Sequence, residues 1–351
     1  MITLAVDAMG GDAGLNVTVP GAVSFLNQQP EARLIMVGQE DALRSALLAA
    51  KASMDRIDIQ PASEVVEMGE SPQSALKNKK DSSMRVAINQ VKEGKAQAAV
   101  SAGNTGALMA TARFVLKTIP GIERPAIAKF IPANGGGLTL MLDLGANVDC
   151  TPEQLVQFAI LGSELMHAMY PAKGKPKVAL MNVGTEEIKG TDVLKQTSVL
   201  LKNSDLNFIG NVEGSMVFTG EADVIVSDGF VGNVVLKTIE GTVKFMGNAI
   251  KQEFQSSLYN KAAAIVAMPA LKGFKRKLDP RRYNGAIFLG LRGVVVKSHG
   301  GTDAEGFAFA LEEAYHEAKA DSLARIEKGV ETQLAVLESH NQQLETPVVA
   351  S

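Results

Sequence analysis

Residues Ala222–Lys237 read ADVIVSDGFVGNVVLK: an apolar run, a polar turn with two glycines, then apolar residues at helical spacing. That order predicts a strand, a tight loop and a helix. The strand aims the chain at solvent and the glycines let it bend. The new helix then presents unpaired N–H groups and the positive end of its dipole, which suits an anion. Asn233 is expected at or near the first turn, where its amide can cap the helix or reach a ligand. One such loop is an ordinary connector, so recurrence decides its meaning.

Outward from this stretch the same alternation recurs. Strands are expected at Ile2–Val6, Arg33–Val37, Ala98–Ser101, Ala126–Ile131, Leu138–Leu142, Val178–Asn182, Asn207–Ile209, Val224–Ser227 and Val294–Lys297. Helical spacing marks Asp41–Ala52, Ser82–Glu93, Thr105–Leu116, Pro152–Met169 and Asp192–Lys202. Alternating β and α units predict an α/β fold: a three-layer α/β/α sandwich around a mostly parallel sheet, with ligands beyond the carboxyl ends of the strands. Two regions break the rhythm. Residues 241–283 are helical without a strand, and predict a protruding helical hairpin over about 241–285. A long helix from Asp303 to His340, broken near Ala320, precedes a flexible tail at 341–351, leaving 1–340 as one catalytic domain.

Composition narrows the class. A net charge of −3, no Trp and four Tyr argue against nucleic-acid binding. One cysteine excludes an intrachain disulfide framework, and no thiolate metal pattern is present. MITLAVDAMGG reads as a first strand rather than a signal peptide, and no apolar run reaches membrane-spanning length, so a cytoplasmic protein is expected.

The chemistry sits in the loops. VDAMGGD offers Asp7, Gly10 and Gly11; SAGNTGALMA offers Ser101, Gly103, Asn104, Thr105 and Gly106; LDLGAN follows at Leu142–Asn147. NVGTEEIKGTD carries Asn182, Thr185 and Lys189, the opening stretch carries Asp228, Gly229 and Asn233, and KSHGG carries His299. Neither a P-loop nor a dinucleotide GxGxxG is present, and no GxSxG elbow supplies a nucleophile. Cys150 has no histidine beside it; His167 lies in an apolar helix and reads as structural; His316 and His340 fall on solvated helical patterns. His299 alone stands in a glycine loop after a strand. Without a protein nucleophile, the substrate itself can attack: inorganic phosphate on an activated acyl group needs an anion pocket, an orienting cation and oxyanion donors. Lys189, Asn233 and loop amides are suitable types, although Lys189 also reads as an exposed loop cation.

VDAMGGD, SAGNTGA, LDLGANVD, NVGTEEIKG, DGFVGNVVLKTIEG and VVVKSHGG occur here in the order seen in bacterial phosphate acyltransferases, which the chain resembles over roughly residues 1–320. The resemblance implies transfer of a long-chain fatty acyl group from acyl carrier protein to inorganic phosphate. The product, acyl phosphate, would then feed a membrane glycerol-3-phosphate acyltransferase in phospholipid synthesis. It further implies an isopropylmalate dehydrogenase/phosphotransacetylase-like fold, a homodimer, and neither metal nor organic cofactor. By motif position it makes Lys189 and Asn233 catalytic. The remaining loop residues named above become candidates for phosphate and substrate binding.

Lys261–Arg282 is basic and apolar: seven Lys or Arg against one Asp, around AAAIVAMPAL. Lys261, Ile265, Val266, Met268, Leu271, Lys272, Lys275, Arg276 and Lys277 are expected to touch an anionic membrane surface or the acidic carrier protein. The membrane contact would be peripheral, at the inner face of the cell membrane; a helical pair at a dimer interface explains the same pattern. Each cation near such a surface contributes about 1 kcal/mol. Two rival classes stand beside the acyltransferase: a short-chain phosphotransacetylase using coenzyme A (or a dehydrogenase on the same architecture), and a non-catalytic membrane scaffold.

Overall fold

Strand-forming runs rich in Val, Ile, Leu and Ala dominate the interior of the protein, whose computed structural model describes residues 1–345, with the side chains of 275–278, 280, 338 and 340–345 excepted. The N-terminal part runs β1 (Ile2–Asp7), α1 (Leu15–Gln28), β2 (Ala32–Gly38), α2 (Glu40–Ala49), β3 (Ile57–Pro61), α3 (Pro72–Asn78), α4 (Ser83–Lys92), β4 (Ala98–Ser101) and α5 (Thr105–Leu116). The middle runs β5 (Ala126–Pro132), β6 (Leu138–Leu142), α6 (Pro152–Met169), β7 (Lys177–Met181), α7 (Asp192–Lys202), β8 (Asn207–Val212) and β9 (Val224–Val226). The C-terminal part runs α8 (Gly229–Gln255), α9 (Leu258–Leu278), β10 (Ala286–Leu289), β11 (Val294–Lys297), α10 (Ala304–Lys319) and α11 (Ser322–Glu345).

The strands form one 11-stranded sheet in the order β3-β2-β1-β4-β11-β10-β5-β6-β9-β7-β8. β10 pairs antiparallel with both β11 and β5, and β5 pairs antiparallel with β6. Two parallel blocks therefore run in opposite senses across this seam: β3, β2, β1, β4 and β11 in one direction, β6, β9, β7 and β8 in the other. Both faces are covered. One carries α1, α6, α10 and α11 over a core that includes Leu4, Val6, Phe158, Leu180 and Phe307. The other carries α4, α5 and the base of α8 over Ala99, Ile127, Met141, Ile225 and Val295. The expected three-layer sandwich is thus the fold.

Local chemistry fixes the ends of the elements. Thr151 and Gln154 cap α6 reciprocally, and Ser82, Asn104, Thr191 and Asp303 each accept a backbone N–H at a helix start. Asp228 does the same for α8, its Oδ1 accepting from Val231 N at 2.8 Å. Asn233 is consequently not the cap; it is the fifth residue of α8, in the second turn. At Gly232 the helix touches the β6 loop so closely that a Cβ would lie 1.8 Å from Asp143 O. The break expected near Ala320 falls there, at Asp321 with φ +52°, and α11 continues to Glu345, into the expected tail. Residues 346–351 of that tail lie outside the described residues.

The hairpin of residues 241–285 corresponds to the outer part of α8 together with α9. It leaves Phe245, Leu258, Tyr259, Ile265 and Val266 largely exposed. Among the described residues, no helix is long and apolar enough to cross a membrane.

Candidate active site

Paired strand residues point to the same face, so the register lines up a row across the sheet: Asp7 beside Ser101, Ser101 beside Lys297, and Lys297 beside Ala286. On β5, Lys129 faces the same way as Ile127 and is paired with Met141 of β6. This row ends the apolar core on the α5 and α8 face, and its Lys297, Ala286 and Lys129 form the floor of a cavity of about 320 Å³. Lys129, Lys297, Ser298 and His299 line it from the sheet side, Thr105 from α5, and Asn233, Leu236, Lys237 and Glu240 from α8. Leu144 and Gly145 complete the wall beneath Asn233.

The first, second and sixth glycine loops are tied into one unit. Ser101 Oγ donates to Asp7 Oδ2 at 2.6 Å, Ser298 N donates to Ser101 O at 2.9 Å, and Asp12 N donates to Gly300 O at 3.0 Å. Gly10 is needed at this junction, since a Cβ there would meet Asp7 Oδ2 at 2.6 Å and Gly103 N at 2.9 Å. The third and fifth loops form a second unit: Gly229 N donates to Asn147 O at 2.7 Å, and Ser227 Oγ to Leu142 O at 2.9 Å. The buried Asp143 carboxylate is a structural tie, accepting from Ile127 N, Ala146 N, Asn147 N and Asn147 Nδ2. Burial pushes its carboxyl above the usual range against those four bonds. The cavity lies where the two units face each other.

Several predicted side chains are occupied with the scaffold. Asn104 caps α5 through Oδ1 and gives Nδ2 to Met68 O and Glu70 O. Asp228 is the α8 cap, and the buried Asp7 carboxyl, raised by burial, is held by Ser101. Asn233 differs: its exposed amide makes no hydrogen bond among the described residues and borders the cavity. His299 is placed by Asn284, whose Oδ1 accepts from His299 N at 3.0 Å while its Nδ2 donates to Ser298 Oγ at 2.8 Å. Burial, followed by the Lys237 charge, lowers the His299 pKa. The neutral imidazole accepts from Gly301 N at Nδ1, at 3.1 Å, so Nε2 carries the proton.

The fourth loop is separate. Asn182 Oδ1 accepts from Val183 N and its Nδ2 donates to Lys189 O, which closes the loop on itself. Thr185 and Lys189 are exposed there, and neither lines the cavity. Cys150 is partly buried, and burial, with Asp143 and Asp228 nearby, pushes its thiol up to about 12. His167 and His316 are exposed, His167 with Nδ1 at 3.3 Å from Gly174 O. The side chains of His340, Lys275, Arg276 and Lys277 lie outside the described residues.

Sequence reasoning missed Lys129, Lys237, Glu240, Asn284 and Lys297. Lys237 pairs with Glu240 at 2.9 Å. Lys297 is 8% exposed; burial brings its ammonium down to about 8 although Asp7 and Asp12 oppose the shift. Lys129 is lowered by burial too, with Glu240 opposing and Lys237 adding to the shift. A lysine inside an apolar strand run, as in AIAKFIP and VVVK, was the available signal: in a sheet covered on both faces such a side chain must be at least partly buried, as Lys129 is, or buried, as Lys297 is. Among the described residues no three His, Cys, Asp or Glu are grouped to hold a metal ion.

The arrangement can hold a small anion on the sheet floor while an α8 amide faces it. A second space adjoins it. Lys129, Leu236 and Glu240 are shared with an apolar pocket lined by Phe130, Ile131, Phe218 and Ile239. Val243 is shared in turn between that pocket and a groove of about 950 Å³ between α8 and α9. Lys261, Ile265, Met268 and Leu271 line this groove, whereas Val266 and Lys272 are exposed.

The model of a family described as fatty acid synthesis protein matches residues 2–325. The phosphate acyltransferase of Neisseria meningitidis serogroup C is 73% identical over 339 residues, 97% of each chain. That of Chromobacterium violaceum is 59% identical over 334 residues, covering 95% of this chain and 96% of its own. Among solved structures, a phosphotransacetylase from Streptococcus pyogenes superposes with a TM-score of 0.60 at 17% identity, covering 91% of this chain and 94% of its own. 4-Hydroxythreonine-4-phosphate dehydrogenase from Klebsiella pneumoniae gives 0.55 at 15%, covering 90% and 99%. These two structures bear on the fold alone.

Proposed function

Because the chain belongs to the phosphate acyltransferase family and is an acyltransferase acting on phosphate, we propose that its acyl donor is a long-chain fatty acyl thioester of acyl carrier protein. Its product is then acyl phosphate for glycerol-3-phosphate acylation in phospholipid synthesis. The observation that carries the long-chain reading is that an apolar pocket lined by Phe130 and Ile239 adjoins the polar cavity and shares Val243 with the apolar groove between α8 and α9. A short acyl group on coenzyme A has no use for that groove. Each methylene withdrawn from water contributes about 0.8 kcal/mol, so a long chain gains much from it.

Atoms and protons balance without a protein nucleophile. An oxygen of monohydrogen phosphate attacks the thioester carbonyl, the C–O bond forms, and the tetrahedral oxyanion takes a hydrogen bond from the Asn233 amide. The C–S bond then breaks, and the proton released by the phosphate ends on the carrier thiolate. Neutral His299 stands on the cavity wall with Nδ1 accepting from Gly301 N and its proton on Nε2, so it can donate a hydrogen bond to the reacting oxygens and does not take up the proton. We also assign Lys189 a substrate-orienting role from its exposed loop.

The exposed apolar residues of the hairpin and the basic segment that begins at Lys261 support a homodimer contact, peripheral attachment to an anionic membrane and docking of the acidic carrier. The deciding experiment mixes the protein with palmitoyl acyl carrier protein and phosphate. Phosphate-dependent release of thiol without free fatty acid is expected. Equal turnover with acetyl coenzyme A, or release of fatty acid independent of phosphate, would overturn the assignment. Full activity in Lys189→Ala would remove that residue from the mechanism.

A further inference from the structure

Buried charges are normally paired, because a desolvated ammonium without a partner is costly. The cavity floor departs from this rule. Lys129 is half-buried and makes neither a hydrogen bond nor an ion pair among the described residues. Lys297 is buried and donates only to main-chain carbonyls, Ala102 O at 3.4 Å and Ser298 O. No carboxylate forms an ion pair with either lysine among the described residues, although Asp7 and Asp12 are near enough to oppose the lowering of the Lys297 pKa. Glu240 is paired with Lys237, and Asp7 Oδ2 accepts from Ser101, although Asp7 Oδ1 has no partner. Three lysines and a neutral histidine thus face one carboxylate across the cavity lining.

We propose that the sheet floor between Lys129 and Lys297 is the phosphate seat, with Lys237 closing over it from α8. The register places both lysines on one face of adjacent parts of the sheet, separated by Ala286 of β10, whose small side chain leaves the space open. Asn233 and Lys237 are four residues apart on α8 and share a helix face. A phosphate held from below by Lys129 and Lys297 and from above by Lys237 therefore has its attacking oxygen next to the amide that receives the carbonyl oxygen. This places the anion in the cavity, and rests on phosphate being the acceptor.

The test is calorimetric titration of the whole protein with inorganic phosphate, without any acyl donor, on wild type, Lys129→Met and Lys297→Met. Losing one charge-assisted partner should weaken phosphate binding on the order of 10- to 100-fold in each variant. Thermal unfolding adds a second readout. Lys129→Met should leave the phosphate-free Tm unchanged or higher, and Met at either position should erase the phosphate-induced rise. Lys297 also holds two carbonyls; if its Met variant fails to fold, Lys129→Met, which breaks no hydrogen bond among the described residues, decides alone. Unchanged phosphate affinity in Lys129→Met, or no phosphate binding by wild type, overturns the seat. If wild type binds phosphate through these lysines yet releases no thiol from the acyl donor, the acyltransfer reading fails and the seat stands.

Discussion

Replacing Asn233 by Ala separates catalysis from stability more cleanly than any other substitution at this site. Asn233 is exposed, lies in the second turn of α8, and gives its amide to no described group, since Asp228 already caps the helix. Ala is the better helix former by about 0.5 kcal/mol at such a position. The variant should accordingly be as stable as wild type or slightly more so, with its urea midpoint unchanged or raised. Activity should move the other way. Loss of one preorganised oxyanion donor lowers kcat by ~10²–10³, which corresponds to about 3–4 kcal/mol of transition-state stabilisation. Steady-state thiol release with palmitoyl acyl carrier protein and saturating phosphate measures it. Asn233→Asp keeps the shape and replaces the donor by a carboxylate, so it should be at least as impaired. A kcat within about threefold of wild type in Asn233→Ala would refute the oxyanion role. A fall of more than ~1 kcal/mol in stability would show that the residue serves its helix instead.

Gly232→Ala should reverse the usual helical gain from Ala, because its Cβ would lie 1.8 Å from Asp143 O; a loss of at least ~1–3 kcal/mol in urea unfolding is expected. Burial brings the Lys297 ammonium down to about 8; kcat/KM for phosphate should therefore fall above that pH, up to about tenfold per pH unit, in wild type but not in Lys297→Met. The same group links to folding with a definite sign: its pKa is depressed from the unfolded 10.5, so its penalty on folding is full below about 8 and is relieved as pH rises from there to 10.5. Glu317, 2% exposed and raised by burial to about 8, behaves oppositely: its cost to stability grows as pH rises from 4.5 to about 8. Glu317→Gln should raise Tm at pH 8 and leave it nearly unchanged at pH 4.5, while equal Tm at both pH values for wild type and variant would contradict the shift.

The fold was largely legible because its signals are local. Thr105–Leu116, Pro152–Met169 and Asp192–Lys202 begin and end where capping residues and apolar spacing place them. β3 and β10 were not legible. IDIQP is an edge strand ending in Pro, and AIFL is four residues between Gly285 and Gly290, too short to show a period. Missing β10 also hid the antiparallel seam, and with it the juxtaposition of Lys129 and Lys297, which are far apart in the chain. The glycine loops were recognisable as a group. Their division into two tied units with Lys189's loop apart is a matter of strand order, on which local sequence is silent. Asn104 and Asp228 looked like ligand donors because capping uses the same side chains as binding does.

The seam has a consequence for how the chain is made. β4 and β5 follow each other in sequence, yet β11 and β10 separate them in the sheet. Until those strands have been synthesised, β4 and β5 each present an unpaired edge, and the two blocks have nothing to join them. The lysine that completes the site's floor thus arrives among the last strand residues to leave the ribosome. A chain cut short before residue 286 lacks the strands that seal its interior, and its exposed edges make it a substrate for chaperones and proteases in place of a partly active enzyme.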